Sequence, residues 1–295
     1  MNASSATTGT QEIKQCCARL YESDMVKLLL GDSFHPGGLN LTERLGDLLQ
    51  LTAQSRVLDV ASGTGASALF LARQFGCRVV GIDFGGQNVL SANDAAVRQD
   101  LATQVQFQQS DAERLPFADA SFDAVICECA FCTFPDKSAA AREFARVLKP
   151  DGVLGLSDLT RGPVLGEELQ GLLAWIACIA DAQDAERYAA YLRTAGFASI
   201  HVESHDEALV EMATQIRLKL LGAEVMVGLK KINLPGVDFV KAKELLKASL
   251  EAIHAGQLGY AILTASRQET LTCDVDPRYA RQPPNPVMSS APDAA

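Results

Sequence analysis

The sequence predicts an α/β fold in which a doubly wound, seven-stranded and mostly parallel sheet forms the core. From Arg56 onward, short β-branched runs alternate with longer segments of helical periodicity, a pattern typical of parallel strands joined by crossover helices. The first of these runs leads directly into a glycine-rich turn. The chain of 295 residues is 48% hydrophobic and 21% charged, which is sufficient for one sizeable core.

The individual strands and helices follow from the spacing of apolar residues. A short β-branched and apolar run bounded by turn residues predicts a strand, and apolar residues at every third or fourth position predict a helix. The predicted strands are residues 56–60, 78–83, 105–109, 122–127, 152–158, 199–204 and 260–266. The predicted helices are residues 65–75, 87–99, 138–148, 167–179 and 184–195.

Further segments precede and follow this core. Residues 12–30 are amphipathic and residues 41–49 have helical periodicity, whereas the end of the chain is rich in Pro, Ser and Ala and cannot bury enough apolar area to order itself. The expected order is a disordered lead (1–12), an N-terminal helical lid (13–55), the sheet core (56–204), a helical cap with the final strand (205–268) and a disordered tail (269–295).

The cap is predicted from an unusually long connection between the last two strands. Residues 208–256 have helical periodicity that is interrupted at Leu234-Pro235-Gly236. A plain doubly wound sheet needs only a short loop here, so we expect a helical insertion over the strand ends. This insertion is a candidate for shaping a substrate pocket.

Charge and hydropathy limit the partners and the compartment. The 26 Lys and Arg against 36 Asp and Glu give a net charge of −10, which would repel a nucleic acid. The longest apolar stretch, residues 172–180, is well short of the ~20 residues that span a bilayer. Residues 1–10 lack the basic start and the apolar core of a signal peptide, so we expect a cytoplasmic protein whose eight cysteines are thiols.

The turn after the first strand is the most informative feature of the sequence. The segment RVLDVASGTG places Asp59 in the strand and Gly63 and Gly65 in the turn, where small residues let a ligand approach the backbone. Glycines also end many strands for reasons of turn geometry alone. The next strand ends at Asp83, 24 residues after Asp59, where a carboxylate can accept hydrogen bonds from both hydroxyls of a ribose. Another polar strand end follows at Ser110-Asp111-Ala112.

Four motifs in this order resemble the class I S-adenosylmethionine (SAM)-dependent methyltransferases over residues 56–204. They are VLDVASGTG, VVGID, SDAERLPFADASFDAV and REFARVLKPDGVLGLSD. Dinucleotide-binding proteins share the first two motifs, whereas the last two distinguish the methyltransferases. The resemblance implies a Rossmann-like methyltransferase fold, SAM as the cofactor and a small molecule as the methyl acceptor, with neither nucleic acid nor membrane as a partner.

By this resemblance, the cofactor-binding residues lie in the turns that follow the strands. The expected contacts are Asp59, Gly63 and Gly65 for the amino acid part of SAM, Asp83 for the ribose hydroxyls, and Asp111 and Ala112 for the adenine. Further cofactor-binding candidates are Ala61, Ser62, Phe84 and Cys127.

The resemblance narrows at the end of the fourth strand. The runs CECAFCTFPDKSAAAREFARVLKPDGVLGLSDLTRG, LLAWIACIADA and ERYAAYLRTAGFASIHVE look like arsenite methyltransferases. In that family a cysteine after the fourth strand and another in a Trp-x-x-Cys segment bind trivalent arsenic, and these motifs fall on Cys129 and Cys178. Arsenic(III) is soft and thiophilic, so thiolates suit it as a substrate. No metal cofactor is expected.

The sequence departs from this family at a third cysteine. Arsenite methyltransferases carry one in a loop ahead of the SAM-binding strand, but residues 31–38 contain none. A third thiolate could come from Cys16, Cys17 or Cys132. Adjacent side chains on a helix point in different directions, so only one of Cys16 and Cys17 is expected to face the pocket. A thiol reductant would be a partner of such a site.

Other acceptors and other roles remain open. Two inward thiols could serve hydrosulfide or another small thiol, a thiol-based metalloid sensor could retain the fold without catalysis, and a conventional O- or C-methyltransferase has the same fold. Glu128 could act as a base, orient the cofactor or be a solvated carboxylate. His35 could close the lid or be a turn histidine fixed by Pro36. Cysteines also commonly fill space in a core, which is the expected role of Cys77.

Overall fold

A seven-stranded sheet forms the centre of the structure. The structure is a computed structural model that describes residues 14–15, 35–162, 181–234 and 237–268. The predicted α/β fold is confirmed, and the first three strands have the predicted bounds. The strands are β1 (Arg56–Val60), β2 (Arg78–Asp83), β3 (Val105–Gln109), β4 (Phe122–Glu128), β5 (Leu148–Arg161), β6 (Phe197–Ser204) and β7 (Leu258–Arg267).

Several expectations fall outside the described residues. They concern the disordered lead and tail, nearly all of the amphipathic segment at residues 12–30, the helix at residues 167–179, and the cysteines Cys16, Cys17 and Cys178.

The strand order positions the candidate site. It is β3-β2-β1-β4-β5-β7-β6, with β1 parallel to both β2 and β4, so the order reverses its direction between β1 and β4. Strand β7 is antiparallel to β5 and β6. In an open α/β sheet, ligands bind outside the carboxyl ends of the strands at such a reversal. A ligand site is therefore expected at the carboxyl ends of β1 and β4.

Seven helices lie within the described residues. None of them is long and apolar enough to cross a membrane. Asp136, Asp184 and Asp238 act as N-caps, since each carboxylate accepts a backbone N–H from the first turn of the helix that follows it. The helices are α1 (Gly38–Leu48), α2 (Ala66–Phe75), α3 (Gly86–Arg98), α4 (Lys137–Val147), α5 (Ala185–Thr194), α6 (Asp206–Gly228) and α7 (Phe239–His254).

Helix α1 packs directly on the sheet. Its buried face includes Leu41 and Leu45, and a Cβ atom at Gly155 of β5 would lie only 2.6 Å from Leu45 Cδ1. Glycine at this position therefore lets the helix approach the strand closely. The same buried face carries Thr42, and His35 precedes the helix, so the packing of α1 brings both residues to the carboxyl ends of the strands.

Four strands are longer than predicted: β4 by one residue at its end, β7 at both ends, and β5 and β6 through irregularities near their starts. Strand β5 begins at Leu148 rather than at residue 152, because Leu148 already pairs with Phe122 of β4 before a register shift. The expected turn is thus an irregularity within the strand, where Asp151 has a φ of 60°. Strand β6 begins at Phe197, and Ser199, with a φ of 49°, lies in a second irregularity. Periodicity could not predict the extensions of β5 and β6 because a bulge breaks the alternation of side chains.

The connection between β6 and β7 is helical, as predicted, and consists of α6 and α7. It leaves the sheet at the same edge as the candidate site, since Ser204 at the end of β6 pairs with Ala261 near the start of β7. The two helices pack against each other and against β7. None of their residues lies among the described residues that line the cavity discussed below, so the expected contribution of the cap to the pocket is not found there.

Candidate active site

An open cavity lies at the carboxyl ends of β1, β2 and β4, where the strand order reverses. All predicted cofactor-binding residues except Gly65 and Cys127 line it. The described lining consists of Lys14, His35, Asp59, Ala61, Ser62, Gly63, Thr64, Ala66, Ser67, Ile82, Asp83, Phe84, Asn88, Ser110, Asp111, Ala112, Glu128, Cys129, Ala130, Thr133, Phe134 and Pro135.

The turn between β1 and α2 brings its backbone to the cavity. Gly63 and Gly65 have φ values of 53° and 87°, in the left-handed region that favours glycine. The Ser62 N–H donates to the Ile82 carbonyl at 2.8 Å, which ties the turn to the end of β2. A Cβ atom at Gly65 would lie 2.6 Å from Phe107 Cζ. Gly65 is therefore required for the shape of the turn, although it does not itself line the cavity.

Asp83 is held at the end of β2 by several donors. Its Oδ2 accepts the Gly63 N–H at 2.9 Å, and its Oδ1 accepts the Gly85 N–H at 2.8 Å and Asn88 Nδ2 at 3.3 Å. The side chain lines the cavity although the residue is buried. The structure thus places a fixed carboxylate where the sequence predicts a ribose-binding acid.

Three buried polar atoms around the cavity have no hydrogen-bond partner among the described residues. They are Asp59 Oδ2, Ser62 Oγ and Asn88 Oδ1. Burial, together with the charges of Glu128 and Asp83, raises the pKa of Asp59 well above its ordinary value. Unpaired buried polar atoms are costly, so their clustering here indicates a polar ligand, and a cation next to Asp59 would offset the repulsion. SAM carries an ammonium group, a sulfonium and a ribose, and these residues fit it.

The adenine end predicted from the sequence contains an unexpected cation. Lys14 Nζ lies 2.9 and 2.8 Å from the two carboxylate oxygens of Asp111 and 2.5 Å from Glu113 Oε2. Because 97 residues separate Lys14 from Asp111, no local pattern in the sequence could have predicted this contact.

The opposite wall of the cavity holds Glu128, at the end of β4. Its Oε2 lies 3.6 Å from His35 Nε2, and the two side chains are 4% and 6% exposed. Thr42 Oγ1 donates to Glu128 Oε2 at 3.1 Å and to Oε1 at 3.3 Å. Ser157 Oγ donates to Oε1 at 3.4 Å and in turn accepts the Tyr260 hydroxyl at 3.0 Å. Glu128 is therefore not a solvated carboxylate but one oriented by hydroxyl groups, with a histidine next to it.

Cys129 is the predicted acceptor-binding thiol that lines the cavity. In a continued strand, Glu128 and Cys129 would point to opposite faces. Strand β4 ends at Glu128, however, and Cys129 has a φ of 51°, so both residues line the same cavity. The Cys129 N–H donates to the Ser157 carbonyl at 2.6 Å, which fixes this backbone turn.

The predictions for Cys127 and Cys132 require correction. Both residues are fully buried, and neither lines the cavity. Burial, followed by the charges of Asp158, Asp59 and Glu128, raises the pKa of the Cys127 thiol well above its usual value. The Cys132 N–H donates to Asp158 Oδ2 at 2.9 Å within the core. Both thiols therefore lie in the core, away from the described lining of the cavity.

Some cavity residues were not predicted from the sequence. Asn88 lies near the start of α3, five residues after Asp83. A polar residue in the first turn of a helix that follows a strand and a Gly-Gly pair is a sequence pattern that could have predicted it. Ser67, Thr133 and Phe134 carried no such signal. The described residues contain no group of three or more His, Cys, Asp or Glu side chains that could hold a metal ion.

A family model described as a methyltransferase domain matches residues 58–156 of this chain. This range runs from β1 into β5 and includes the glycine turn, Asp83, Asp111 and Glu128.

Individual relatives match over a larger part of the chain. The 27-O-demethylrifamycin SV methyltransferase of Amycolatopsis mediterranei (strain S699) is 28% identical over 269 residues, which cover 84% of this chain and 94% of that protein. The O-methyltransferase cnsE of Penicillium expansum is 30% identical over 265 residues, which cover 83% and 89%.

The fold also matches a solved structure, the Haemonchus contortus phosphoethanolamine N-methyltransferase 2 in complex with SAM. The TM-score is 0.73 at 20% identity, over 87% of this chain and 60% of that chain. None of these three proteins is named for arsenite, so they do not support the expected closeness to arsenite methyltransferases.

Proposed function

This chain belongs to the class I SAM-dependent methyltransferases, uses SAM as its cofactor and methylates small molecules, and we propose that the accepting group is a hydroxyl whose proton passes to His35. The observation that carries this proposal is the pair of nearly buried side chains on the cavity wall, with His35 Nε2 3.6 Å from Glu128 Oε2. A hydroxyl is a weak nucleophile while it keeps its proton, and a positioned imidazole is the most common general base.

We assign the cofactor along the cavity, from the buried acids to the loop after β3. Asp59 and the backbone at Gly63 would hold the amino acid part of SAM. The buried Asp59 Oδ2, which has no hydrogen-bond partner among the described residues, supports this assignment. Asp83 would accept the ribose hydroxyls, and Asp111 with Ala112 would hold the adenine. Bound SAM supplies a methyl group on a sulfonium, and transfer breaks the sulfur–methyl bond and leaves S-adenosylhomocysteine.

The hydrogen bonding of His35 suits a general base. Its Nδ1 lies 3.2 Å from the Pro36 carbonyl, which can only accept, so Nδ1 carries the proton of the neutral ring. Nε2 then has a lone pair and takes the hydroxyl proton of the acceptor as the new oxygen–methyl bond forms. Glu128, whose Oε2 lies 3.6 Å from Nε2, stabilises the resulting imidazolium charge. The proton leaves to solvent when the product departs.

Two of the relatives that match most of the chain support a hydroxyl acceptor. One is named for an O-demethylated rifamycin, and the other is named an O-methyltransferase. Positioning and exclusion of water are the main tasks of a protein that catalyses methyl transfer. The nearly buried pair of His35 and Glu128 would position the acceptor at the wall of the cavity.

A second candidate acceptor is a soft thiophile, namely arsenite, hydrosulfide or a small thiol. The observation that favours it is the position of Cys129 on the cavity wall beside Glu128. Arsenic(III) prefers several thiolates. Of the cysteines proposed to complete such a site, Cys178, Cys16 and Cys17 lie outside the described residues. This alternative therefore rests on one thiol, whereas the hydroxyl acceptor rests on a complete pair.

To test this proposal, the protein is incubated with methyl-labelled SAM and the labelled products are identified. Three sets of acceptors are compared: a panel of phenols and alcohols, arsenite with a thiol reductant, and sulfide. We expect O-methylated products. His35→Gln should lower kcat by about a hundredfold or more, because no imidazole is left to take the hydroxyl proton. His254→Gln, which removes an exposed histidine at the end of α7, is the matched control and should leave kcat unchanged.

Two results would contradict the hydroxyl acceptor. One is a panel without O-methylated products, and the other is full O-methylation by His35→Gln. Methylated arsenic made by the wild-type protein and lost in Cys129→Ser would instead favour the soft acceptor.

A further inference from the structure

Lys14 reaches the cavity from the N-terminal part of the chain. Its Nζ contacts both carboxylate oxygens of Asp111 and one oxygen of Glu113, at distances between 2.5 and 2.9 Å. The side chain of Lys14 is 11% exposed, and those of Asp111 and Glu113 are 25% and 12% exposed. These three residues form a largely buried ion cluster, the Lys14 cluster, at the adenine end proposed above.

The Lys14 cluster joins three parts of the chain. Asp111 Oδ1 also accepts the Glu113 N–H at 3.0 Å, which fixes the loop after β3. Glu113 Oε1 accepts the N–H of Asp136, the N-cap of α4, at 2.8 Å. Lys14 is therefore connected to this loop and, through Glu113, to the start of α4.

The charge of Lys14 is what allows the two carboxylates to lie together. Two like charges in a poorly hydrated place repel each other, and each would gain by turning towards water. Burial disfavours the charged form of Lys14, but the hydrogen bonds and charges of Asp111 and Glu113 outweigh it and raise the pKa of Lys14. The ammonium group thus stays charged and holds both carboxylates in one orientation.

We propose that Lys14 is a positioning residue that orients the Asp111 carboxylate to accept a hydrogen bond from the 6-amino group of adenine. The proposal rests on the assignment of adenine to Asp111 in the proposed function. Each carboxylate oxygen can accept two hydrogen bonds. Oδ1 takes the Lys14 ammonium and the Glu113 N–H, whereas Oδ2 takes Lys14 and keeps its second lone pair for the adenine.

This arrangement makes the site specific for a 6-amino purine. A purine with a carbonyl group at C6 would present an acceptor to the Asp111 carboxylate, and two facing acceptors repel. If the Asp111 side chain could rotate, it would turn away from a 6-oxo group and relieve the repulsion. The site would then no longer discriminate between the two purines. Lys14 prevents that rotation.

The test is titration calorimetry of the full chain with S-adenosylhomocysteine and with S-inosylhomocysteine, which has a 6-oxo group in place of the 6-amino group. The wild-type protein should prefer S-adenosylhomocysteine by about thirtyfold or more, since the 6-oxo group places an acceptor against the fixed Asp111 carboxylate. In Lys14→Met, the Asp111 carboxylate is free to turn, so the affinity for S-adenosylhomocysteine should fall about tenfold. The preference for S-adenosylhomocysteine over S-inosylhomocysteine should shrink to about threefold. Lys14→Arg should retain most of the preference.

Lys149→Met is the matched control. It removes another Lys–Asp pair, with Lys149 Nζ 2.6 Å from Asp123 Oδ1, at the amino ends of β4 and β5. Both the affinity and the preference should stay at the wild-type value in this variant.

A Lys14→Met variant that keeps the wild-type preference between the two ligands would overturn the proposal, even if its overall affinity or melting temperature fell. A wild-type protein that binds both ligands equally would overturn the adenine assignment and the role of Lys14 together. Failure to methylate any hydroxyl would contradict the proposed acceptor but would leave this binding comparison valid.

Discussion

Asp59 shows what a functional residue costs the fold. It is 2% exposed, its Oδ2 has no partner among the described residues, and burial with the charges of Glu128 and Asp83 raises its pKa. The folded state therefore prefers the protonated acid. Above the ordinary pKa of 3.8, Asp59 ionises in the unfolded chain but keeps its proton in the fold. The free energy of unfolding therefore falls progressively until the pH passes the raised pKa. Under the proposed assignment, the ammonium group of bound SAM would remove this penalty.

Asp59→Asn should raise the melting temperature and weaken cofactor binding at the same time. The amide has the same shape but no charge, so the stability gained over wild type should be small near pH 3.8 and should grow as the pH rises above it. The affinity for S-adenosylhomocysteine should fall because its ammonium group loses a charged partner. Thermal unfolding between pH 4 and 8 and calorimetry at pH 7 measure both effects. Equal stability of the two proteins at pH 7 would contradict this interpretation.

At the scale of secondary-structure elements, the β1–α2 turn is where sequence and structure agree most closely. Gly65 was predicted because small residues follow a strand, and the structure requires glycine there through its φ of 87° and its distance to Phe107. Strands β1 to β3 were also predicted with correct bounds, since regular alternation continues to their ends. Strand β5 was predicted too short because the irregularity at Asp151 hides its first residues.

Gly65→Ala should destabilise the protein by roughly 1–3 kcal/mol, because alanine is strained in a left-handed conformation and its Cβ would overlap Phe107. Gly222→Ala is the matched control within α6, where a Cβ meets nothing within 4 Å. It should stabilise the protein by about 0.5–1 kcal/mol, since alanine is the better helix former. Urea denaturation measures both changes. A neutral Gly65→Ala would mean that the turn has another conformation.

At the scale of the whole molecule, the cavity residues at the strand ends were predictable from the sequence, and those that reach the cavity from the N-terminal part of the chain were not. Asp59 and Asp83 lie at the carboxyl ends of β1 and β2 and Asp111 follows β3, so the sequence pattern alone brings them to one edge of the sheet. The walls depend on long-range packing, which places Lys14 and His35 next to the sheet from the N-terminal part of the chain. Local periodicity carries no information about such contacts.

The cysteines illustrate the same limit. Their clustering after β4 suggested a thiol site, but only Cys129 turns towards the cavity, because β4 ends one residue earlier and the backbone then adopts a positive φ. Cys127 and Cys132 remain in the core. The point at which a strand ends decides which side chains face a site, and composition does not report it.

The most direct test of the cavity as the cofactor site is calorimetric titration of S-adenosylhomocysteine into the wild-type protein and into Asp83→Ala. The wild-type protein should bind one equivalent. Asp83→Ala should bind at least about tenfold more weakly, because a hydrogen bond from a ribose hydroxyl to a charged group contributes about 1.5–3 kcal/mol. A folded Asp83→Ala variant that binds with wild-type affinity would place the cofactor elsewhere and contradict the assignment.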